Sequence, residues 1–448
     1  MDTVIIKDVG PISSVQLGLN KINIIIGPQS SGKSTIAKII SYCRWVEKRF
    51  LLDGEYNYKF SEQFINFHRI DKNYFSENSI IHYKSDFIDI KYEVKSLSED
   101  LSSKVLDINK ELGLFQSINK IESNNSFAKS KNIYIPAERN FVSVIPNLKK
   151  YNETNDNIMS FLYDWYSAKE NYKQDNSLQI LGLNIGYHHI KETDSDILVL
   201  NKDSKEISLK TASSGLQSVV PLIMLIEYLS NKFFEIKSPE SVSEKDNSEK
   251  YIKEYINDFL TKEFKKHTST IDTILAESEI DDKEFLEYTK ALQKIKYTKA
   301  LENLSSDFHK QKTLRSEYQF SSFIIEEPEQ NLFPTTQRDL IYYILDKINN
   351  NERNHSLVLT THSPYVLYAI NNCMMGYKVQ EEIEEEDKEK LPSLNSCINP
   401  DLVSVWEIKD GKINSIKNEE TGTVGKHYFN EIMEELMDEY YLLLSYLE

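Results

Sequence analysis

The beginning of the chain alternates short apolar runs with turn-forming residues. Three β-branched runs lie between Thr3 and Ile25, and Gly10 and Pro11 separate the first two. This pattern predicts a strand, a turn, a second strand and then a buried strand. A glycine-bearing loop follows, and from Thr35 the apolar residues recur at helical spacing. The opening therefore predicts strands, a loop and a helix in succession.

The middle of the chain predicts further strands and helices. Apolar alternation between Ser76 and Val94 indicates a hairpin, and the spacing from about Ser96 to Ile121 indicates an amphipathic helix. The run from Asn132 to Asn140 predicts a core strand that ends in a loop, and residues 157–172 predict a second helical segment. A polar turn at residues 211–214 then opens an apolar helix.

The residue composition changes between about Lys237 and Lys312, where many charged residues surround apolar residues at helical spacing. This stretch predicts a charged helical insertion, which is either a dimer contact or partner platform, or a solvated hairpin without a further role. Core texture then returns: the strands FSSFIIE and HSLVLTT flank an amphipathic helix, and the tail predicts strands and a helix. We expect a head formed by residues 1–230 and 313–448, with the insertion at 231–312.

Charge and cysteine content narrow the function classes. The 448 residues include 40% hydrophobic residues and carry a formal net charge of -17. The chain can bury a sizeable core. Its negative net charge argues against a broad basic surface that coats nucleic acid, but it does not exclude a local basic groove. The three cysteines show no metal-ligand spacing and are too few for a disulfide framework, so a reducing cytoplasm is expected. Neither a signal peptide nor a membrane span is predicted.

The strongest chemical signal is the segment GPQSSGKST, which lies between a predicted strand and a predicted helix. It matches the GxxxxGKS pattern of a phosphate-binding loop, in which backbone N–H groups and the helix N-terminus face the phosphates. Lys33 is expected to reach the β and γ phosphates of ATP, and Ser34 to bind Mg²⁺. The predicted binding residues are Gly27, Pro28, Gln29, Ser30, Ser31, Gly32, Lys33, Ser34 and Thr35.

Two later strand ends supply acidic and imidazole side chains. The apolar strand FIIEE delivers Glu326 and Glu327 to its carboxyl end, where α/β sheets bind ligands. Glu326 is expected to hold Mg²⁺, directly or through water, while Glu327 positions or deprotonates the attacking water. His362, in LVLTTHSP, is expected to hydrogen-bond the γ-phosphate as a sensor. The predicted catalytic residues are thus Lys33, Glu327 and His362.

A fourth element, TASSGLQS, opens the apolar helix. With it, the order GxxxxGKS, Ser-Gly-x-Gln, Glu-Glu-Pro-Glu and Thr-His-Ser-Pro resembles the ABC-type ATPases, and more closely their OLD-like and RecF/SMC-like branch. The resemblance covers residues 1 to about 230 and 313–448. It implies an α/β fold, namely an ABC-type P-loop ATPase head with a mixed sheet core, an antiparallel β subdomain and the charged helical insertion.

The resemblance also implies a role for the start of this helix. In the family, this signature closes the ATP site of a second copy, and Gln217 would support the turn. Leu216 departs from the second glycine of the common LSGGQ form, and the alternative is a serine-capped core helix. The residues implied to close the site in trans are Ser213, Ser214 and Gly215.

A fifth position is implied by the family's glutamine, which touches the metal and the attacking water. The comparable run here, IYIPAERN, ends in Glu138 and Arg139 instead. Either residue is expected to line the site, with Arg139 as a fork-shaped phosphate ligand. The alternative is that the two form a surface ion pair.

The resemblance carries expectations about partners. OLD proteins usually carry a Toprim nuclease after the ATPase, but the 84 residues after Pro364 lack its acidic pattern, so no nuclease is predicted in this chain. A separate effector, expected to be a nuclease, is implied, as for the ATPase components of the Septu, PARIS and retron-associated anti-phage systems. The alternative is a RecF/SMC-like homo-oligomer that clamps DNA. A transporter ATPase fits poorly, because it needs a coupling surface for membrane domains.

Overall fold

The computed structural model describes two β-sheets and the helices that cover them. The described residues are 2–53, 58–94, 106–109, 114–121, 126–145, 156–200, 205–235, 313–314, 317–349 and 353–447. The predicted insertion lies almost entirely outside these ranges, so its helical character and its role as a dimer or partner platform stay predictions.

The described residues form sixteen strands and eight α-helices. The strands are β1 Asp2–Val9, β2 Ile12–Leu19, β3 Ile22–Ile26, β4 Phe75–Lys84, β5 Ile88–Val94, β6 Leu106–Asn109, β7 Leu114–Lys120, β8 Ser130–Ile135, β9 Leu178–Gln179, β10 Ile185–Ile190, β11 Ser195–Leu200, β12 Lys205–Ser208, β13 Phe320–Glu326, β14 Ser356–Thr361, β15 Val403–Lys409 and β16 Lys412–Ser415. The helices are α1 Lys33–Asp53, α2 Phe141–Val144, α3 Asn157–Lys169, α4 Ser214–Ser230, α5 Pro334–Asn349, α6 Pro364–Val379, α7 Glu385–Lys388 and α8 Tyr428–Leu444.

The larger sheet joins a parallel half to an antiparallel half. Its order is β6-β7-β5-β4-β1-β2-β16-β15-β3-β14-β13-β8, and the strands from β15 to β8 run parallel. The smaller sheet, β12-β11-β10-β9, is antiparallel throughout. The predicted α/β class with a mixed sheet and antiparallel β structure is therefore confirmed. β3 is buried at every position, and four of its five residues are isoleucine, with Asn23 as the one polar residue.

Two hydrophobic cores lie on opposite faces of the parallel half. Ile24 and Ile26 of β3 point into the core that contains the buried residues of α4, α5 and α6. Ile25 points to the other face, where it packs with the buried residues of α1. Alternate residues of a strand face opposite sides, so α1 and α4 cover opposite faces of the same sheet. This separation matters for the site described below.

The helix predicted from Ser96 to Ile121 is wrong for the part that the structure describes. β7 pairs antiparallel with β5 over seven register positions, from Ile88 opposite Lys120 to Val94 opposite Leu114. β6 adds a further strand beyond it. The hairpin of β4 and β5 leaves an edge with unpaired backbone groups, and pairing with that edge outweighs the local helical spacing.

The last helix, α8, presents an apolar face that no described residue covers. Large apolar side chains recur along it at three- and four-residue spacing and are exposed, among them Met433, Leu436, Tyr440 and Leu443. Its opposite face is acidic. Among the described residues, no helix combines the length and apolar character needed to cross a membrane.

Candidate functional site

The phosphate-binding loop connects β3 to α1, as the sequence predicts. Gly27 has φ of +152°, and a Cβ there would lie 2.5 Å from the carbonyl oxygen of Ile408. Gly32 has φ of +103°, and a Cβ there would lie 2.8 Å from Cγ1 of Ile12. Only glycine adopts these conformations without strain and with this clearance. The loop is therefore held tightly against the neighbouring strands β2 and β15.

Lys33 lies under this loop at the start of α1. Its side chain is buried, with the residue 4% exposed, and its Nζ donates hydrogen bonds to the carbonyl oxygens of Gly27 at 2.8 Å and Pro28 at 2.7 Å. Burial lowers the pKa of Lys33 to about 8, and the charges of Glu327, Glu329 and Glu326 oppose that shift. The ammonium group thus lies between the loop and the acidic end of β13.

Glu326 ends β13 as a buried carboxylate beside the same helix start. Burial raises its pKa, while the charge of Lys38 and hydrogen bonding from Ser34 lower it. Its Oε1 atom is buried without a hydrogen-bond partner. A buried carboxylate oxygen without a partner, next to a hydroxyl group, suits a hard cation such as Mg²⁺.

The same residues fit the coordination habits of Mg²⁺. This ion usually takes one or two protein oxygens and completes its shell with water and substrate phosphates. Among the described residues, no group of three or more His, Cys, Asp or Glu residues could hold a metal ion. Ser34 and Glu326 therefore fit a magnesium site that the substrate completes, and they do not form a closed metal cage.

Glu327 adopts a conformation that is unusual for a glutamate. Its φ is +43°, in the left-handed region, and its N–H donates to the carbonyl oxygen of Thr360 at 2.9 Å. Its Oε1 lies 3.5 Å from Nε2 of His362, and the two side chains are 31% and 32% exposed. The pKa of Glu327 is lowered, first by hydrogen bonding to His362 and then by nearby positive charges. The carboxylate is thus kept ionised and accessible.

Arg139 stabilises this strained turn by binding its main-chain carbonyl groups. It is fully buried, and its guanidinium donates hydrogen bonds to the carbonyl oxygens of Ser218 at 3.2 Å, Glu326 at 3.0 Å, Glu327 at 2.9 Å and Pro328 at 3.1 Å. The predicted surface ion pair is therefore wrong. The predicted phosphate contact is wrong for this structure too, because four of the five guanidinium donors bind the main chain.

Glu138, the neighbour of Arg139, is exposed. The two residues therefore separate in function: Arg139 positions the backbone, and Glu138 alone stays a candidate for lining the site. The sequence carries no sign of this division, because a buried arginine that serves main-chain carbonyls has no local pattern. Only the approach of the β13 end to α4 creates its partners.

Glu329 and Gln337 position the segment that contains His362 and Ser363, and the sequence analysis missed both. Oε1 of Glu329 accepts a hydrogen bond from the backbone N–H of His362 at 2.6 Å, and burial raises the pKa of Glu329. Ser363 caps α6 and donates to Oε1 of Gln337 at 2.5 Å. The third acidic residue of the Glu-Glu-Pro-Glu motif is a sequence signal that could have indicated Glu329. No such sequence signal indicated Gln337.

The signature residues lie at the start of α4. Ser213 and Ser214 are exposed, and Gln217 donates from Nε2 to the carbonyl oxygen of Lys210 at 2.9 Å, so its side chain does brace the preceding turn. A Cβ on Gly215 would lie 2.9 Å from the carbonyl oxygen of Asn331. Among the described residues, no hydrogen bond or ion pair joins this signature to the phosphate-binding loop.

The structure thus brings the phosphate-binding loop, Glu326, Glu327 and His362 to one edge of the sheet, at the carboxyl ends of β3, β13 and β14. Register pairs place Ile26 beside Thr361 and Glu326 beside Thr360. The start of α4 approaches the segment that follows β13, whereas α1, which follows the phosphate-binding loop, lies on the opposite face of the sheet.

Comparisons with known proteins give structural similarity only. No protein-family model matches the chain, and no curated protein matches it. Among solved structures, the SMC head domain from Thermotoga maritima is 10% identical, with 93% of this chain and 98% of that chain covered and a TM-score of 0.36. The recombination mediator protein RecF-ATPrS of the RecFOR pathway is 13% identical, with 92% and 97% covered and a TM-score of 0.29. The Smc head domain with an extended coiled coil from Pyrococcus furiosus, bound to the C-terminal domain of ScpA, is 9% identical, with 98% and 100% covered and a TM-score of 0.34.

Proposed function

We propose that this chain is a Mg²⁺-dependent ATPase. The observation that supports it best is the meeting of five side chains at one sheet edge. They are the buried Lys33, the pair of Ser34 and Glu326 with an unpartnered oxygen, and Glu327 within 3.5 Å of His362. Phosphoryl transfer needs positioned positive charge, metal-binding oxygens and a carboxylate near the attacking water. When bound, Mg²⁺ would supply neutralisation of the phosphate charge.

Each residue has a role that follows from its surroundings. Lys33 would leave the loop carbonyls and pair with the phosphates, and Ser34 with Glu326 would hold the metal ion. Glu327 stays ionised because its pKa is lowered, so it can orient the attacking water and accept its proton. His362 lies beside it and would contact the γ-phosphate. The left-handed backbone conformation at Glu327 orients the carboxylate. This conformation is strained, and the surrounding hydrogen bonds stabilise it.

The titration of Lys33 gives a pH test. Its pKa in the free protein is about 8, below the ordinary lysine value of 10.5, and a bound triphosphate should raise it again. ATP affinity should therefore fall as pH rises through about 8, and binding above that pH should take up a proton. Calorimetry in buffers of different ionisation enthalpy measures both effects. Lys33→Arg does not titrate in this range and is the matched control: equal pH dependence in both proteins would contradict the assignment.

We further propose that two copies close each ATP site between them. Within one chain, α1 and α4 cover opposite faces of the sheet, and Ser213 and Ser214 are left exposed. Among the described residues no hydrogen bond or ion pair joins the signature to its own phosphate-binding loop, which is compatible with a signature that acts on a second chain, as the family resemblance implies. The exposed serines then meet the nucleotide held by the partner.

A mixing experiment tests the shared site. Lys33→Ala disables the phosphate-binding loop, and Ser214→Arg adds bulk at an exposed signature position, so each variant alone should lose ATP turnover. A mixed dimer keeps one intact site, so an equal mixture should recover about a quarter of the wild-type rate for independent sites. A mixture as inactive as its two components would contradict closure in trans. Melting curves of each variant verify that both are folded.

The biological role is proposed on the resemblance alone. We propose an ATPase that acts as the sensor or regulatory scaffold of an anti-phage system with a separate effector, with a nuclease expected. The alternative is a RecF/SMC-like DNA-clamping ATPase. ATP-dependent retention of a DNA duplex, lost steeply with added salt, would favour the clamp, because phosphate contacts release counterions. ATP-dependent capture of a co-expressed neighbouring gene product without DNA would favour the scaffold.

A further inference from the structure

A second cavity lies away from the phosphate-binding loop, beside the edge strand β8 and the outer part of α1. Its volume is about 450 Å³, which lies within the usual range of small-molecule sites. Residues of α1, the segment 58–68, β8, α3 and Tyr318 line it. None of the catalytic residues proposed above is among them, so ATP hydrolysis leaves this cavity unexplained.

Among the described residues, two of the buried polar atoms at this cavity that have no hydrogen-bond partner belong to a histidine and an asparagine. They are Nδ1 of His68, a residue that is 1% exposed, and Nδ2 of Asn132. The amide of Asn132 is oriented by Ser130, whose hydroxyl donates to Asn132 Oδ1 at 2.9 Å. A buried polar atom without a partner costs about 1–3 kcal/mol, so a ligand that pairs with both atoms would be bound specifically.

His68 is held neutral by its surroundings. Burial lowers its pKa to about 3, and the positive charge of Lys38 adds to that effect. A neutral imidazole offers one donor and one acceptor, so it pairs with a polar heterocycle and does not demand an anion. His68 and Asn132 both line the cavity, and each has one polar atom that a nucleobase edge would satisfy.

The remaining lining is aromatic and basic. Aromatic faces accept planar rings by stacking. Three cationic residues line the cavity and no aspartate or glutamate does, in a chain whose net charge is -17. Asp164 pairs with one of the cations, Lys131, at 2.7 Å. The aromatic lining residues other than Tyr134 are Tyr42, Trp45, Tyr58, Phe67 and Tyr318, and the cationic ones are Lys48, Arg49 and Lys131.

We propose that this cavity binds a nucleoside monophosphate, or a closely similar planar heteroaromatic anion, as a second ligand site. The ring would stack among the aromatic side chains, pair with His68 and Asn132, and place its phosphate near Lys48 and Arg49. The proposal stands apart from the ATPase assignment, because it rests on a different set of residues.

The cavity is connected to the catalytic edge by two elements. Tyr134 lines the cavity, and its pKa is raised by burial and by the nearby charge of Glu326. Its strand pairs with β13, with Tyr134 opposite Ile324. The helix α1 begins at the phosphate-binding loop and carries Ser41 and Trp45 into the cavity. A bound ligand would therefore displace both Glu326, through Tyr134, and α1, which follows the phosphate-binding loop. These displacements would change ATP turnover.

Calorimetry with AMP, GMP, CMP and UMP tests the site on the full chain. The titrations use the Lys33→Met background, in which the phosphate-binding loop is disabled, and are repeated with wild type. At least one of the four compounds should bind with one equivalent per chain in both proteins. The same compound should change the steady-state ATP turnover of wild type.

Three variants locate the binding. Asn132→Leu removes one unpartnered donor and should weaken binding about tenfold. Ser160→Phe, on the α3 wall of the cavity, should block binding. Ser167→Phe is the matched control on the same helix, because Ser167 is exposed and does not line the cavity. Its affinity should equal that of wild type, and melting curves verify folding of all three.

Several results would overturn the proposal. One is that none of the four monophosphates binds to either protein. Another is that Ser160→Phe and Ser167→Phe bind the ligand equally. A third is that only a single-stranded oligonucleotide binds and Ser160→Phe removes that binding, which would assign the cavity to a nucleic-acid strand instead.

Discussion

Replacing Glu327 by glutamine should lower the ATP turnover number by about 10²- to 10³-fold while leaving Mg-ATP binding nearly unchanged. Glutamine keeps the shape of the side chain beside His362 but cannot accept a proton from the attacking water. Phosphate release measures turnover, and equilibrium titration with a fluorescent ATP analogue measures binding. In the proposed dimer, hydrolysis would separate the two copies, so the variant should also accumulate as an ATP-dependent dimer, which light scattering detects.

The control for this experiment is Glu386→Gln, an exposed acid in α7 that is remote in sequence from every motif. Its turnover should stay within about twofold of wild type. If Glu327→Gln keeps wild-type turnover, Glu327 is not the residue that positions the water, and Glu138 becomes the next acid to examine. If turnover falls but Mg-ATP binding falls equally, the residue acts in binding and the assigned role is wrong.

Replacing Arg139 by methionine should destabilise the protein by about 3 kcal/mol or more and lower its apparent melting temperature by about 3 °C or more. Methionine fills the space but leaves four main-chain carbonyl oxygens without their donor, at Ser218 and at residues 326–328. Arg139→Lys should also be destabilising, since one ammonium group cannot reproduce the guanidinium fork. Thermal melts without nucleotide measure both effects.

The same variants distinguish a positioning role from a phosphate contact. A residue that only binds phosphate would leave the melting temperature without nucleotide unchanged and weaken ATP binding alone. Arg338→Met is the matched control, because Arg338 is exposed and paired only with its neighbour Asp339 at the surface. A melting temperature for Arg139→Met equal to that of Arg338→Met would contradict the structural assignment.

The candidate site divides into residues that the sequence predicts and residues that it does not. Lys33, Ser34, Glu326, Glu327 and His362 lie at loop and strand ends in motifs of fixed spacing, so their residue types alone indicate their chemistry. Their meeting at one sheet edge follows from parallel strands, which bring their carboxyl ends together. Patterns that are local along the chain thus predicted which residues gather at the candidate site.

The backbone that aims Glu327 could not be predicted in this way. A left-handed φ at a glutamate is disfavoured by local sterics, and no turn residue marks it. It persists because Arg139, about 190 residues earlier in the chain, and Thr360 hold the neighbouring main-chain groups. Contacts of such sequence separation leave no signal in a window of local periodicity.

The helix predicted from Ser96 to Ile121 shows that prediction of the fold from local patterns is limited in the same way. Its apolar spacing favoured a helix, yet β7 completes a sheet with β5. Backbone pairing to an existing strand edge is a property of the neighbour and not of the segment itself, so the segment's own pattern is a weak guide.

By itself, the sequence determined the α/β class, the phosphate-binding loop and the order of the chemical motifs, because these depend on residue type and on spacing within one element. The tertiary structure decided which faces those elements cover. It placed α1 and α4 on opposite faces of one sheet, buried Arg139 among main-chain carbonyls, and left Nδ1 of His68 and Nδ2 of Asn132 without a hydrogen-bond partner among the described residues. Each of these depends on partners far apart in the chain, whose proximity exists only after the sheet has formed.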